Sequence, residues 1–108
     1  LQQLIASLTK LPSIGEKSAT RLACFLVNDS TGISQQISEL LNKVQTEVKL
    51  CSSCFYYAVE DTCQICRSAS RDPRLLCIVE KPIDILAIER LGEYKGYYFV
   101  LHGLWAPL

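Results

Sequence analysis

Four of the six cysteines in this 108-residue chain stand in two pairs of identical spacing. Cys51-Ser-Ser-Cys54 and Cys63-Gln-Ile-Cys66 are separated by eight residues. A C-x-x-C turn lets two thiolates point at one centre while backbone amides of the turn support the sulfurs, so two such turns complete a tetrahedron. A redox-inert ion suits a closed site of this kind, which favours one structural Zn2+, with iron in a rubredoxin-like site as the rival. A disulfide reading is weaker, because C-x-x-C pairs are poor staples and nothing in the chain suggests secretion. Four thiolates leave no open position for water, so the metal is expected to hold structure rather than to catalyse. Of the other two cysteines, Cys24 lies in a helical segment and Cys77 in an apolar run of strand length, and both read as small core residues.

A second constellation lies near the start. Leu11-Pro12-Ser13-Ile14-Gly15 followed by Glu16-Lys17-Ser18-Ala19-Thr20-Arg21-Leu22 has the layout of a helix-hairpin-helix. Such a turn aims backbone amides and a helix N-terminus at one point, which favours a phosphate. Lys17 and Arg21 are four apart and share a face. Pattern alone is met equally well by a helical pair carrying a solvated lysine and arginine.

The elements that must position these groups follow from periodicity. Leu1, Leu4, Ile5 and Leu8 mark a helix closed by Pro12; Ala19, Leu22, Ala23 and Leu26 mark a second. After the loop Asn28 to Gly32, Ile33, Ile37, Leu40, Leu41, Val44 and Val48 mark a third. Phe55-Tyr56-Tyr57 is rich in strand formers and Glu60-Asp61-Thr62 in turn formers, which predicts a small hairpin beneath the metal. Leu75 to Val79 is a short apolar run without alternation, as in a strand buried on both faces. Ile83, Leu86, Ala87 and Leu91 form a helical face ended by Gly92, and Tyr97 to Leu101 a second strand. Strand, helix, strand is a βαβ unit, and parallel sheets normally have more than two strands. The fold class is thus α+β and multi-modular: a helical domain over 1–49, a zinc module over 50–70 and a partial α/β domain over 71–108.

Composition sets the limits. Eleven basic and eleven acidic residues cancel, and 49% apolar residues exclude a disordered chain. Residues 1–50 hold five basic and four acidic groups, so no region is strongly basic and one copy should hold DNA weakly. No run approaches the roughly 20 apolar residues of a membrane span. The chain contains no methionine and closes on Ala106-Pro107-Leu108, which leads us to expect a fragment.

Taken together, LPSIGEKSATRLACFLV, the double C-x-x-C, the Arg71-Asp72 segment leading to Leu76-Cys77-Ile78-Val79-Glu80, and Pro82-Ile83-Asp84-Ile85-Leu86-Ala87-Ile88-Glu89 resemble the RecR family of bacterial recombination mediators. The resemblance covers essentially the whole chain, in the family's order: helix-hairpin-helix, four-cysteine zinc finger and the first half of a Toprim domain. It implies that Lys17 and Arg21 contact DNA, single- or double-stranded. It implies that Cys51, Cys54, Cys63 and Cys66 bind zinc, and that Glu80, at the end of the first Toprim strand, serves partner binding, chiefly to RecO, with RecF as a further partner. It also implies a cytoplasmic bacterial protein that works as an oligomeric DNA clamp, ring-forming in the family, with a dimer expected here through the first 50 residues. Ser13 departs from the family by standing where glycine is common. Leu101-His102-Gly103-Leu104-Trp105-Ala106-Pro107-Leu108 departs at the other end, where LGGLLSPL is usual. His102 is therefore expected to be no site residue and Trp105 to pack or lie at a cut edge.

Two other classes compete with a DNA-binding mediator. A Toprim enzyme needs an Asp-x-Asp cluster beyond Glu80, and none occurs before Leu108, so no catalysis is expected. A zinc-stabilised interaction module without DNA binding draws its support from the neutral charge.

Overall fold

The computed structural model describes residues 1–103; Trp105 and its neighbours lie outside the described residues. The chain divides into two compact units, Leu1–Gln45 and residues from Thr46 onward.

The first unit is helical. α1 (Gln2–Leu8) and α2 (Glu16–Val27) pack through Ile5, Ala19 and Ala23, with Leu8 and Ile14 against them. Ala19 and Ala23 are one helical turn apart and fully buried; their small side chains let α1 approach closely. The buried stripe of α2 is therefore narrower than its apolar pattern suggests. Leu22 is exposed and so is Cys24, which corrects the expectation of a core thiol. α3 (Ile33–Glu47) follows a loop in which the Asp29 carboxylate accepts the N–H groups of Thr31 (3.0 Å) and Ser34 (3.1 Å). The Thr31 hydroxyl and these amides hold the Asp29 carboxyl down at about 2. The Ser34 hydroxyl donates to the Leu26 carbonyl at 2.6 Å, tying the start of α3 to the end of α2. No residue of α3 is buried, although its apolar residues fall on one stripe.

The second unit contains two small sheets. β1 (Lys49–Leu50) pairs antiparallel with β2 (Tyr57–Ala58), in the register Lys49 to Ala58 and Leu50 to Tyr57. The expected hairpin is present, but its strands bracket the first cysteine pair instead of lying wholly between the two pairs. α4 (Gln64–Arg67) carries Cys66, the last of the four paired cysteines. β3 (Leu76–Val79) and β4 (Tyr97–Val100) are parallel, joined by α5 (Pro82–Leu91), and this is the predicted βαβ unit. Pro82 opens α5, where its missing N–H costs nothing, and the Asp84 carboxylate accepts the Lys81 N–H at 3.1 Å. Val79, Ile85, Tyr98 and Val100 form the core here. β3 is not buried on both faces as expected: Leu76 and Ile78 are 62% and 58% exposed. α5 contacts β3, and only the side chains that alternate toward the covered face are removed from water. Cys77 is half-buried rather than enclosed.

Tyr56 and Ile65 pack against both the cysteine cluster and the βαβ core. The segments read as 50–70 and 71–108 thus share one apolar interior. The cysteine module has little apolar core of its own beyond Ala58.

Candidate metal centre and the groups around it

The first cysteine turn is closed by backbone bonds: Phe55 N–H donates to the Cys51 carbonyl at 2.9 Å, and Cys51 N–H to the Tyr56 carbonyl at 2.6 Å. Phe55 takes a left-handed φ of 66° to complete it. The second turn runs into α4, whose N-cap is Cys63. Ser52 joins the two turns, donating from its N–H to the Asp61 carbonyl and from its hydroxyl to the Asp61 carboxylate, both at 2.9 Å.

These constraints bring the four sulfurs within 4.8 Å of one another. Cys51 and Cys66 Sγ are 3.7 Å apart, Cys54 and Cys63 Sγ 3.6 Å. A tetrahedron with metal–sulfur bonds of about 2.3 Å has sulfur–sulfur edges of about 3.8 Å. Backbone amides point at sulfur, among them Tyr56 N–H to Cys54 (3.4 Å), Cys63 N–H to Cys51 (3.3 Å) and Cys66 N–H to Cys63 (3.4 Å). N–H groups aimed at sulfur stabilise thiolates, as a metal ligand requires. Burial raises the Cys51 thiol, but the backbone N–H groups of Cys54, Cys63 and Ser53 outweigh it and bring it down to about 6. Burial pushes Cys54 up to about 12, and Cys66 upward as well. Four thiolates in such proximity, most of them buried, require a cation to compensate their charge. The residues fit zinc: the set is all sulfur and closed, and the only histidine in the chain has its Nε2 against the Phe55 carbonyl at 2.6 Å. When bound, the ion would supply cross-linking and charge compensation, with no position left for a substrate.

Glu80 follows β3 at its carboxyl end and is exposed. Its carbonyl accepts the Gly103 N–H at 3.2 Å. Neither acid on the next helix is free beside it. Asp84 caps α5, while Glu89 binds the Arg71 guanidinium and accepts the Tyr98 hydroxyl. Arg71 also donates to the Gly96 carbonyl at 2.9 Å, so this network pins the approach to β4. Its signal in the sequence is weak, since Arg71 and Glu89 lie eighteen positions apart.

In the helical unit the turn between α1 and α2 holds Ser13 at φ 66°, a left-handed conformation that glycine adopts most easily. Gly15 is the N-cap of α2, and its carbonyl accepts the Ala19 N–H at 2.9 Å. Lys17 in the first turn and Arg21 in the next are both exposed. Neither forms an ion pair with the described residues.

A helical hairpin, a closed four-sulfur centre and a parallel βαβ pair, in that order, define a modular zinc-binding protein of α+β class. Family models agree module by module: the RecR helix-hairpin-helix matches residues 1–44, the RecR four-cysteine zinc finger domain residues 48–68 and the Toprim domain residues 74–108. The chain belongs to the RecR family. It is 44% identical over 108 residues to a protein named recombination protein RecR from Myxococcus xanthus, covering all of this chain and 55% of that protein. The protein of the same name from Roseiflexus castenholzii is 42% identical over 106 residues, covering 98% and 52%. That from a Synechococcus strain is 44% identical over 108 residues, covering 100% and 54%. The chain spans about half the length of the curated relatives it matches. Among the described residues no helix is long and apolar enough to cross a membrane.

Proposed function

We propose that this chain is the DNA-engaging half of a recombination mediator in bacterial recombinational repair, acting in the cytoplasm. The observation that carries the reading is the placement of Lys17 and Arg21, exposed and without an acidic partner among the described residues, on the first two turns of α2 in a helix-hairpin-helix. A cation in the first turn of a helix opposes the helix dipole; an anion shared between that cation and the turn relieves the conflict. The phosphate backbone supplies such an anion. The neutral balance of the chain limits how DNA is held. Two contacts per copy give weak binding, so several copies acting together, as an oligomeric clamp, provide the hold.

Glu80 takes the partner role in this reading, toward RecO- and RecF-type proteins. Its isolation supports that role over catalysis: with Asp84 and Glu89 engaged, no second carboxylate from α5 is available to share a magnesium ion with it. The chain is accordingly proposed to be no enzyme. Fluorescence anisotropy with labelled single- and double-stranded DNA tests the main claim. Replacing Lys17 and Arg21 together by alanine should abolish binding while helical content stays; unchanged binding would sink it.

A further inference from the structure

The first cysteine turn does more than hold two sulfurs. β4 lies beside β3 on one edge, and on its other edge Val100 N–H donates to the carbonyl of Cys54, a metal-binding residue, at 2.8 Å. The Phe55 and Phe99 rings meet edge to face with centroids 5.3 Å apart. One turn further on, the His102 ring places Nε2 2.6 Å from the Phe55 carbonyl, which requires that nitrogen to carry the donating hydrogen. The same turn reaches back to β3: Leu101 N–H donates to the Val79 carbonyl at 2.9 Å and Gly103 N–H to the Glu80 carbonyl at 3.2 Å. A continuous path of backbone and ring contacts therefore links the metal-binding turn to the residue that ends β3.

His102 holds a left-handed φ of 53°, which disfavours a side chain there. Its ring is exposed, so burial of the ring does not account for the conformation. The turn that takes this conformation returns the Gly103 N–H to the Glu80 carbonyl and at the same time sets the ring against the Phe55 carbonyl. We infer that His102 is a positioning residue, a latch that couples occupancy of the four-cysteine centre to the geometry of the strand end carrying Glu80. The significance of this coupling for partner recognition rests on the role proposed for Glu80; the coupling itself does not. It assigns a role to His102 that neither the cysteine spacing nor the family's motifs contain.

The zinc-loaded full chain tests this with two readouts: the rate of zinc transfer to a chromophoric chelator, and amide hydrogen exchange at Gly103 and Val100 followed by NMR. His102→Gly relieves the backbone and removes the ring, so on backbone grounds alone it would tighten the turn. With the latch, zinc release instead quickens by about five-fold, the factor expected for one hydrogen bond, and Gly103 exchange quickens by a similar factor. His102→Gln retains an N–H donor and should recover most of both effects. Phe99→Leu, which removes the ring contact on the same bridge, should quicken zinc release even if the His102 variants fold poorly. Wild-type zinc release and wild-type Gly103 exchange in His102→Gly, or no difference between the glycine and glutamine variants, would overturn the inference. Neither readout involves DNA or a partner, so failure here leaves the DNA reading standing, and loss of that reading leaves the latch intact.

Discussion

Arg71, ahead of β3, clamps Glu89 on the last turns of α5: the guanidinium reaches both oxygens of the carboxylate, with Nη1 3.2 Å from Oε2. Their side chains are only 17% and 29% exposed, and the Tyr98 hydroxyl donates to the same carboxylate. Removing one member strands the other in a partly dry site. Glu89→Ala should therefore destabilise the second unit by about 2 kcal/mol, measured by denaturant unfolding. The Arg71 guanidinium, opposed in part by burial and aided by Tyr98, holds the Glu89 carboxyl below its ordinary value of 4.5. A carboxyl depressed in the folded state contributes stability in full above its unfolded value and loses it as pH falls through the folded one. Wild-type protein should thus lose stability progressively below about pH 4.5, and Glu89→Gln should flatten that acid limb. An identical acid limb in the variant would place the linkage elsewhere.

Ser13 gives a prediction of opposite sign. At φ 66° its Cβ crowds the backbone, and its side chain is exposed, so little is lost by removing it. Ser13→Gly should stabilise the helical unit by about 1 kcal/mol, raising its melting temperature by several degrees. DNA affinity should hold or rise, because a glycine lets a phosphate approach the turn.

Zinc removal separates the two units. Metal analysis should find one zinc ion per chain, bound by Cys51, Cys54, Cys63 and Cys66. Chelation should abolish the dispersed NMR signals of residues 48–68, since Ala58 is nearly all the apolar core that this module has. The α1–α2 signals should persist, because Ile5, Ala19 and Ala23 pack without any sulfur. A chelated protein whose spectrum is unchanged would end the zinc assignment.

How much of this was legible beforehand differs by element. The cysteine centre could be read from spacing alone, because two C-x-x-C turns admit few geometries. The parallel pair followed from the order strand, helix, strand, and the hairpin from Pro12 and Gly15. Burial was less legible. Cys24 lies in a helix with an apolar face yet is exposed, because the side chains that α2 buries are Ala19 and Ala23. Leu76 and Ile78 look like core but face outward from a sheet with two described strands. The contact of His102 with Phe55 spans 47 positions and depends on two left-handed residues, which no local pattern announces.

The basic pair has a quantitative signature. Two phosphate contacts release about two counterions, so log affinity should fall against log salt with a slope near −2 per copy. Removing Lys17 alone should bring the slope near −1, and removing Arg21 as well should bring it near zero. A slope that survives both changes would shift DNA contact to another surface.

α3 makes the last prediction. Ile33, Ile37, Leu40, Leu41 and Val44 form one stripe along it, 37% to 60% exposed, and no residue of the helix is buried. An amphipathic helix of fifteen residues gains its stability mainly by burying such a stripe. A second copy of the chain offers a matching stripe, and two-fold pairing would cover both at once. The chain should therefore sediment as a dimer. Leu40→Glu with Leu41→Lys should return it to a monomer while α1 and α2 remain folded, because neither side chain contributes to the Ile5, Ala19 and Ala23 core. The same substitutions should weaken DNA binding more at low protein concentration than at high, since they remove assembly and leave Lys17 and Arg21 in place. Sedimentation as a dimer after both changes would assign self-association to the second unit.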